Sequence, residues 1–262
     1  MEAPVLLAID KRVAVITLNR PDKLNALNEE MMRLYVDALE QCRTSVDVDV
    51  IVVTGAGRGF CGGGDVSRLG DARQQTPIEV KEAFWDGLHR IPKKLAEIDK
   101  PVIAAVNGPA YGAGVDISLQ TDLRFAAQSA QFRITYTMFG LFPGNGGTYF
   151  LPRIVGEAKA LELFWSADLI DSSEALRIGM VNKVFPDDEL MDRTMEWARN
   201  VTEKAPIPVR LIKRAVKQSL RLDLNTSLDM FSSHMAVTRT SRDHAEGVKA
   251  YQEKRKPRFE GK

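Results

Sequence analysis

The sequence predicts an α/β fold, a core of short apolar strands alternating with amphipathic helices and followed by a helical C-terminal stretch. Three observations carry this. The runs "VDVIVVTG" and "PVIAAVNG" are continuously apolar and end at glycine, as strands covered on both faces do. Segments with apolar residues at three- and four-residue steps lie between such runs. Beyond about Arg153 the pattern becomes almost wholly helical.

Taken in order, "VLLAID-KR-VAVITL" reads as a hairpin with a two-residue polar turn. "NEEMMRLYVDALEQC" is an amphipathic helix, with Met31, Leu34, Tyr35, Ala38 and Leu39 on one face and acids in its first turn. The buried strand "VDVIVVTG" follows. Residues 77–98 place Phe84, Leu88, Ile91, Leu95 and Ile98 at helical steps and predict one continuous helix. "PVIAAVNG" is a second buried strand, "AGVDISLQ" a short helix and "LRFAAQ" another strand. Helices are then expected over 156–166, 172–178, 187–204 and 206–220, and as a pair over about 224–255, with the strand "MVNKVF" among them. There is no internal repeat or low-complexity linker. The expected division is a core over 1–195 and a helical region over 196–262.

A chain of 262 residues, 44% hydrophobic, can bury a large core. A net charge of +1 argues against nucleic acid or an anionic membrane as the main partner. Two cysteines, Cys42 and Cys61, provide neither a disulfide framework nor a metal-ligand spacing, which fits a reduced compartment. The acidic start "MEAPVLLAID" is unlike a signal peptide, and no apolar run is long enough to cross a bilayer. A cytoplasmic protein is therefore expected.

Two glycine-rich loops each follow a buried strand: "GAGRGFCGGGD" and "NGPAYGAGVD". Neither has the lysine of a phosphate loop, and neither matches the dinucleotide fingerprint. Strand-to-helix turns of this kind expose the first amides of a helix, which are unpaired donors at the positive end of its dipole. Two such loops side by side can aim two N–H groups at one developing oxyanion. The plainer reading of either loop alone is a tight turn that needs glycine.

"GRGFCGGGDVSRL", "KPVIAAVNGPAYGAGVDISLQTDLRFA", "AQFRITYTMFGLFPGNGGTYFLPRIVG" and "EGVKAYQEKRKPRFEGK" together resemble the crotonase (enoyl-CoA hydratase/isomerase) superfamily. The opening "VAVITLNRPDKLNALNEEM" is similar too, so the resemblance covers nearly the whole chain. It implies a crotonase-like spiral of stacked ββα units with a C-terminal helical region for oligomerisation and for covering coenzyme A. It also implies a homotrimer or a dimer of trimers, and an acyl-CoA thioester as substrate. No cofactor is implied beyond the coenzyme A of that substrate. By position, Gly64 and Ala113 would supply the oxyanion amides. Cys61 and Gly62 would offer carbonyls to the adenine and pantetheine, and Asp65, Gly112 and Gly144 are counted with them among the substrate- or coenzyme A-binding residues. Lys23 and Arg58 lie where family members touch coenzyme A, and Tyr251 and Lys254 would reach it from a neighbouring subunit.

Hydration in this superfamily uses two glutamates. The first matches Asp116, a carboxylate shortened by one methylene, and the second matches Tyr136. Some isomerases instead place an acid in the turn that reads "LFPGNGG" here, where Gly144 and Asn145 stand. Asp116 is thus the principal candidate proton carrier. Tyr136, with an ordinary pKa near 10, is better suited to donate a hydrogen bond or orient a water than to act as a base. Asn145 is a candidate for bonding a polar group of the substrate, and Asp65 for capping the short amphipathic stretch after it. Pocket walls are expected around residues 70–90 and at Phe84, Tyr136, Phe139 and Phe142. One carboxylate supports isomerisation, hydration or hydrolysis equally well on these grounds. A hydrolase or decarboxylase of the same fold, or a non-catalytic acyl-CoA- or RNA-binding relative, are the alternatives.

Overall fold

The computed structural model describes residues 2–65 and 75–262. The hairpin forms as expected: β1 (Val5–Asp10) pairs antiparallel with β2 (Val13–Leu18). Its turn residues Lys11 and Arg12 both have positive φ, 47° and 68°, which matches the twist of a two-residue hairpin. Helix α1 (Glu29–Thr44) begins at Asn28, whose side chain accepts the Met31 N–H at 2.9 Å. It buries Met31, Tyr35, Leu39 and Cys42 along one stripe.

Strand β3 (Val50–Gly55) is buried at every position and lies parallel to β2. The expected single helix over 77–98 is instead two, α2 (Pro77–Asp86) and α3 (Arg90–Glu97), broken at Gly87. Gly87 leaves the helical region at φ −104°, ψ −99°, and Phe84 is partly exposed rather than packed on a common stripe. Helical spacing alone did not reveal that break.

Strand β4 (Val102–Val106) follows, then β5 (Ala110–Tyr111), α4 (Ala113–Leu119), β6 (Leu123–Ala127) and β7 (Gln131–Arg133). Helices α5 (Gly147–Val155) and α6 (Glu157–Ser166) lead to β8 (Leu169–Asp171), α7 (Ser172–Arg177) and β9 (Lys183–Phe185). The chain ends in α8 (Leu190–Thr202), α9 (Pro206–Ser219), α10 (Leu224–Arg239) and α11 (Arg242–Gln252). Helix α8 runs unbroken through residue 195 and packs on β3.

The large sheet has the order β1-β2-β3-β4-β6-β9, with every pairing after the hairpin parallel. A smaller sheet, β5-β7-β8, lies beside it and was not foreseen, because its strands are only two or three residues long. Isolated parallel bridges extend that second row toward the first glycine loop: Leu27 pairs with Gly64, and Cys61 with Ala110. Successive turns of the chain thus add a strand to the large sheet, an extended piece to the second row and a helix. This is the layered α/β spiral with a helical C-terminal region that the sequence implied. Among the described residues no helix is long and apolar enough to cross a membrane.

Candidate active site

The two glycine loops meet where the second row of short strands crosses the start of α4. Cys61 O accepts the Tyr111 N–H at 2.9 Å and lies against Gly114, where a Cβ would stand 2.1 Å from that oxygen. Glycine at 114 is therefore a packing requirement of the loop contact. In the bridge to Leu27, Gly63 O and Asp65 N–H make the two bonds, at 2.7 and 3.0 Å. That pattern turns the Gly64 N–H to the opposite side of the strand. Ala113 opens α4, so its N–H belongs to the first turn and has no partner within the helix. A Cβ built on Gly63 would lie 3.6 Å from Ala113 N, so the two peptide groups are neighbours. A Cβ on Gly64 would meet nothing within 4 Å, which leaves that approach open.

Asp116 sits in the first turn of α4 and is 1% exposed. Three donors hold its carboxylate. Tyr136 Oη donates to Oδ2 at 2.5 Å, and the backbone N–H groups of Asn145 and Gly147 donate as well. Tyr136 opens the 3-10 segment Tyr136–Phe139, and Gly147 opens α5, so the carboxylate faces the positive end of that helix. A Cβ on Gly147 would stand 2.4 Å from Asp116 Oδ1, so this glycine too is required by close approach. Burial pushes the Asp116 carboxyl up to about 7, and the three hydrogen bonds limit the rise. Burial and the adjoining carboxylate push the Tyr136 phenol above its ordinary range, so it stays a neutral donor.

The remaining expected residues divide. Gly112 donates its N–H to Arg133 O at 2.9 Å and sets the entry to α4 at φ 48°. Gly62 donates to Leu24 O at 2.7 Å. Lys23 and Arg58 are exposed at the edge of the first loop. Asp65 is bound to Arg20 Nη2 at 3.1 Å; the stretch it was expected to cap lies outside the described residues, as does the part of the expected pocket wall over 70–74.

The Cys61 carbonyl accepts the Tyr111 N–H, and the Cys61 thiol is buried, donates to Asn25 O at 3.2 Å and is pushed up to about 12. The Asn145 side chain is fully buried with no partner among the described residues, while its backbone N–H serves Asp116 and its carbonyl accepts Gln120 Nε2 at 2.7 Å. Gly144 O lies 2.7 Å from His89 Nε2, and Phe84 packs against Gly144. Phe139 and Phe142 are exposed. Tyr251 is 87% exposed at the end of α11, and Lys254 is exposed just beyond it.

Sequence reasoning missed Gly147 and His89. The pair of glycines at the start of α5 was a signal for the first. His89, 55 residues from its partner, offered none.

The profile of the family described as Enoyl-CoA hydratase/isomerase matches residues 8–262. The chain is 37% identical to 1,2-epoxyphenylacetyl-CoA isomerase of Escherichia coli (strain K12), over 98% of both chains. It is 36% identical to short-chain-enoyl-CoA hydratase of Clostridium acetobutylicum, over 96% of this chain and 95% of that one. Among solved structures, an enoyl-CoA hydratase from Bacillus anthracis superposes with a TM-score of 0.91 at 32% identity, over 99% of this chain and all of that one. An enoyl-CoA hydratase from Polaromonas sp. JS666 gives 0.91 at 28% identity, over 98% and 99%. The paired loops, the buried carboxylate beside them and these whole-length matches have one reading: the chain belongs to the enoyl-CoA hydratase/isomerase family, whose members act on acyl-CoA thioesters.

Proposed function

We propose that the protein is an acyl-CoA isomerase that moves a double bond through a thioester enolate, with Asp116 as its proton carrier. The observation that carries this is the Asp116–Tyr136 pair: one buried carboxyl poised at about 7, partnered by a phenol that stays neutral. Such a carboxyl can take a proton and return it at neutral pH. Hydration by the two-carboxylate route needs a second acid. Among the described residues, the groups that act on Asp116 are a phenol and two backbone amides, with no other carboxylate.

In this reading the thioester carbonyl lies between the N–H groups of Gly64 and Ala113, each worth roughly 3 kcal/mol toward the enolate. Ionised Asp116 removes a proton from C2 of a 3-enoyl thioester. The electron pair left behind forms the C1–C2 double bond, and charge moves to the thioester oxygen. Collapse of the enolate re-forms the carbonyl, makes the C2–C3 double bond and draws the proton from Asp116 onto C4. Lys23 and Arg58, both exposed, would touch coenzyme A. Tyr251 and Lys254 would reach the coenzyme from a neighbour in a homotrimer or dimer of trimers. Exposed Ile212 and Val216 on α9, Leu220 at its C-cap, and Leu224 and Leu228 on α10 support such an assembly.

The similarity to an isomerase at 37% identity and to a hydratase at 36% defines the assay. A 3-enoyl-CoA and crotonyl-CoA are incubated separately in deuterated water and followed by mass spectrometry. The expected result is conversion of the 3-enoyl to the 2-enoyl thioester, with less than one deuterium gained per product, since a buried carboxyl returns part of the proton it took. Addition of one molecule of solvent to crotonyl-CoA as the faster reaction would replace the isomerase reading with hydration.

A further inference from the structure

His89 lies at the junction of α2 and α3, outside both glycine loops, yet it touches the turn that holds Asp116. Its Nε2 is 2.7 Å from Gly144 O. A carbonyl only accepts, so Nε2 carries the hydrogen. The imidazole is set between Phe84 and Trp85, with ring centroids 6.1 and 6.0 Å away, and Lys93 Nζ covers Trp85 at 3.3 Å. Phe84 rests on the same turn: a Cβ at Gly144 would lie 2.8 Å from its Cε1. From the other side Gln120, at the end of α4, donates to Asn145 O at 2.7 Å. The segment 144–147 is thus clamped between two elements, and from it the Asn145 and Gly147 N–H groups reach the Asp116 carboxylate.

We propose that His89 is a positioning residue for the proton carrier: by fixing Gly144 O it holds the 144–147 turn so that the Asn145 and Gly147 amides stay aimed at Asp116. The inference rests on the reading of Asp116 as the base. Among the described residues, the groups acting on the carboxylate are the Tyr136 hydroxyl and these two amides, whereas His89 faces Phe84, Trp85 and the Gly144 carbonyl, with Lys93 beyond Trp85. Loss of the His89 bond therefore acts on Asp116 only through the turn.

The test compares His89→Phe, which keeps a ring and removes the donor, with His89→Gln, whose amide N–H can reach the same carbonyl. In each, the Asp116 carboxyl is titrated by carbon-13 NMR of aspartate-labelled protein, with Asp116→Asn identifying its signal, and kcat and KM for the 3-enoyl thioester are measured against pH. Weaker amide donation to a carboxylate raises its midpoint, so His89→Phe is expected to titrate about one pH unit above wild type. Its kcat at pH 7 falls about 5-fold, as the ionised fraction drops from about one half to about one tenth, with KM within about 2-fold, and His89→Gln restores both. Should His89→Phe fail to fold, His89→Asn, whose amide is too short to reach Gly144 O, takes its place in the comparison. A wild-type midpoint in the donor-less variant, with only thermal stability lowered, overturns the positioning role and leaves Asp116 as the base. A wild-type spectrum with no Asp116 titration near neutrality overturns both.

Discussion

Asp116→Asn tests the site without any substrate. The wild-type carboxyl has an ordinary value of 3.8 and is pushed up to about 7 by burial. It is 1% exposed, so solvent screening takes little from the effect. At about 1.4 kcal/mol per pH unit, the interval from 3.8 to about 7 corresponds to about 4 kcal/mol between the two protonation states. The sign follows from which state holds the proton. Between about pH 4 and 7 the folded protein binds it and the unfolded chain does not, so stability falls as pH rises through this window and the full cost stands above 7. Asparagine is neutral throughout and lacks that slope. Its Oδ1 can accept the amides, while the Tyr136 hydroxyl turns to accept from Nδ2, which leaves the Tyr136 O–H as the one donor that loses its acceptor. Denaturant unfolding at pH 5 and pH 8.5, at fixed protein concentration, should show wild type losing about 2–3 kcal/mol relative to Asp116→Asn, while the variant's isomerase rate falls by about 100-fold or more. Parallel stabilities across that range would refute the neutral-range titration of Asp116, and with it the reason for naming Asp116 the proton carrier.

Tyr136→Phe removes a donor to the carboxylate, and a hydrogen bond to a charged group is worth about 1.5–3 kcal/mol, so the midpoint of the rate profile should climb from about 7 to about 8–9; an unmoved profile contradicts the pairing. Gly147→Ala would place a Cβ 2.4 Å from Asp116 Oδ1. It is expected to lower kcat by about 100-fold with acyl-CoA affinity nearly kept, as calorimetry with a non-reacting thioester would report. Cys42 and Cys61 are both buried, with thiols pushed up to about 11 and 12, so neither should react with a thiol reagent at pH 8 until the protein is unfolded. Prompt labelling of the folded protein would count against the inward placement of Cys61.

The sequence by itself determined what is local. The apolar runs of β3 and β4 are buried on both faces, and the stripe Met31–Tyr35–Leu39 can be covered only as a helix, so these elements were legible from spacing. The glycine loops and Asp116 as a candidate carboxylate were legible from motif order. Tertiary structure decided the rest, because the deciding contacts lie far apart in the chain. Nothing in residues 77–98 announces that Gly87 ends one helix and starts another. The two- and three-residue strands β5, β7 and β8 exist only through pairing with one another. Cys61 stands in the first glycine loop, and its carbonyl accepts the N–H of Tyr111, 50 residues on. The pKa of Asp116 belongs to no motif: burial raises it, and a phenol 20 residues away and two amides of a turn whose carbonyls meet His89 and Gln120 limit the rise. A residue type and its spacing can nominate a carboxylate, but desolvation and converging donors set its pKa, and those arise only when distant segments pack together.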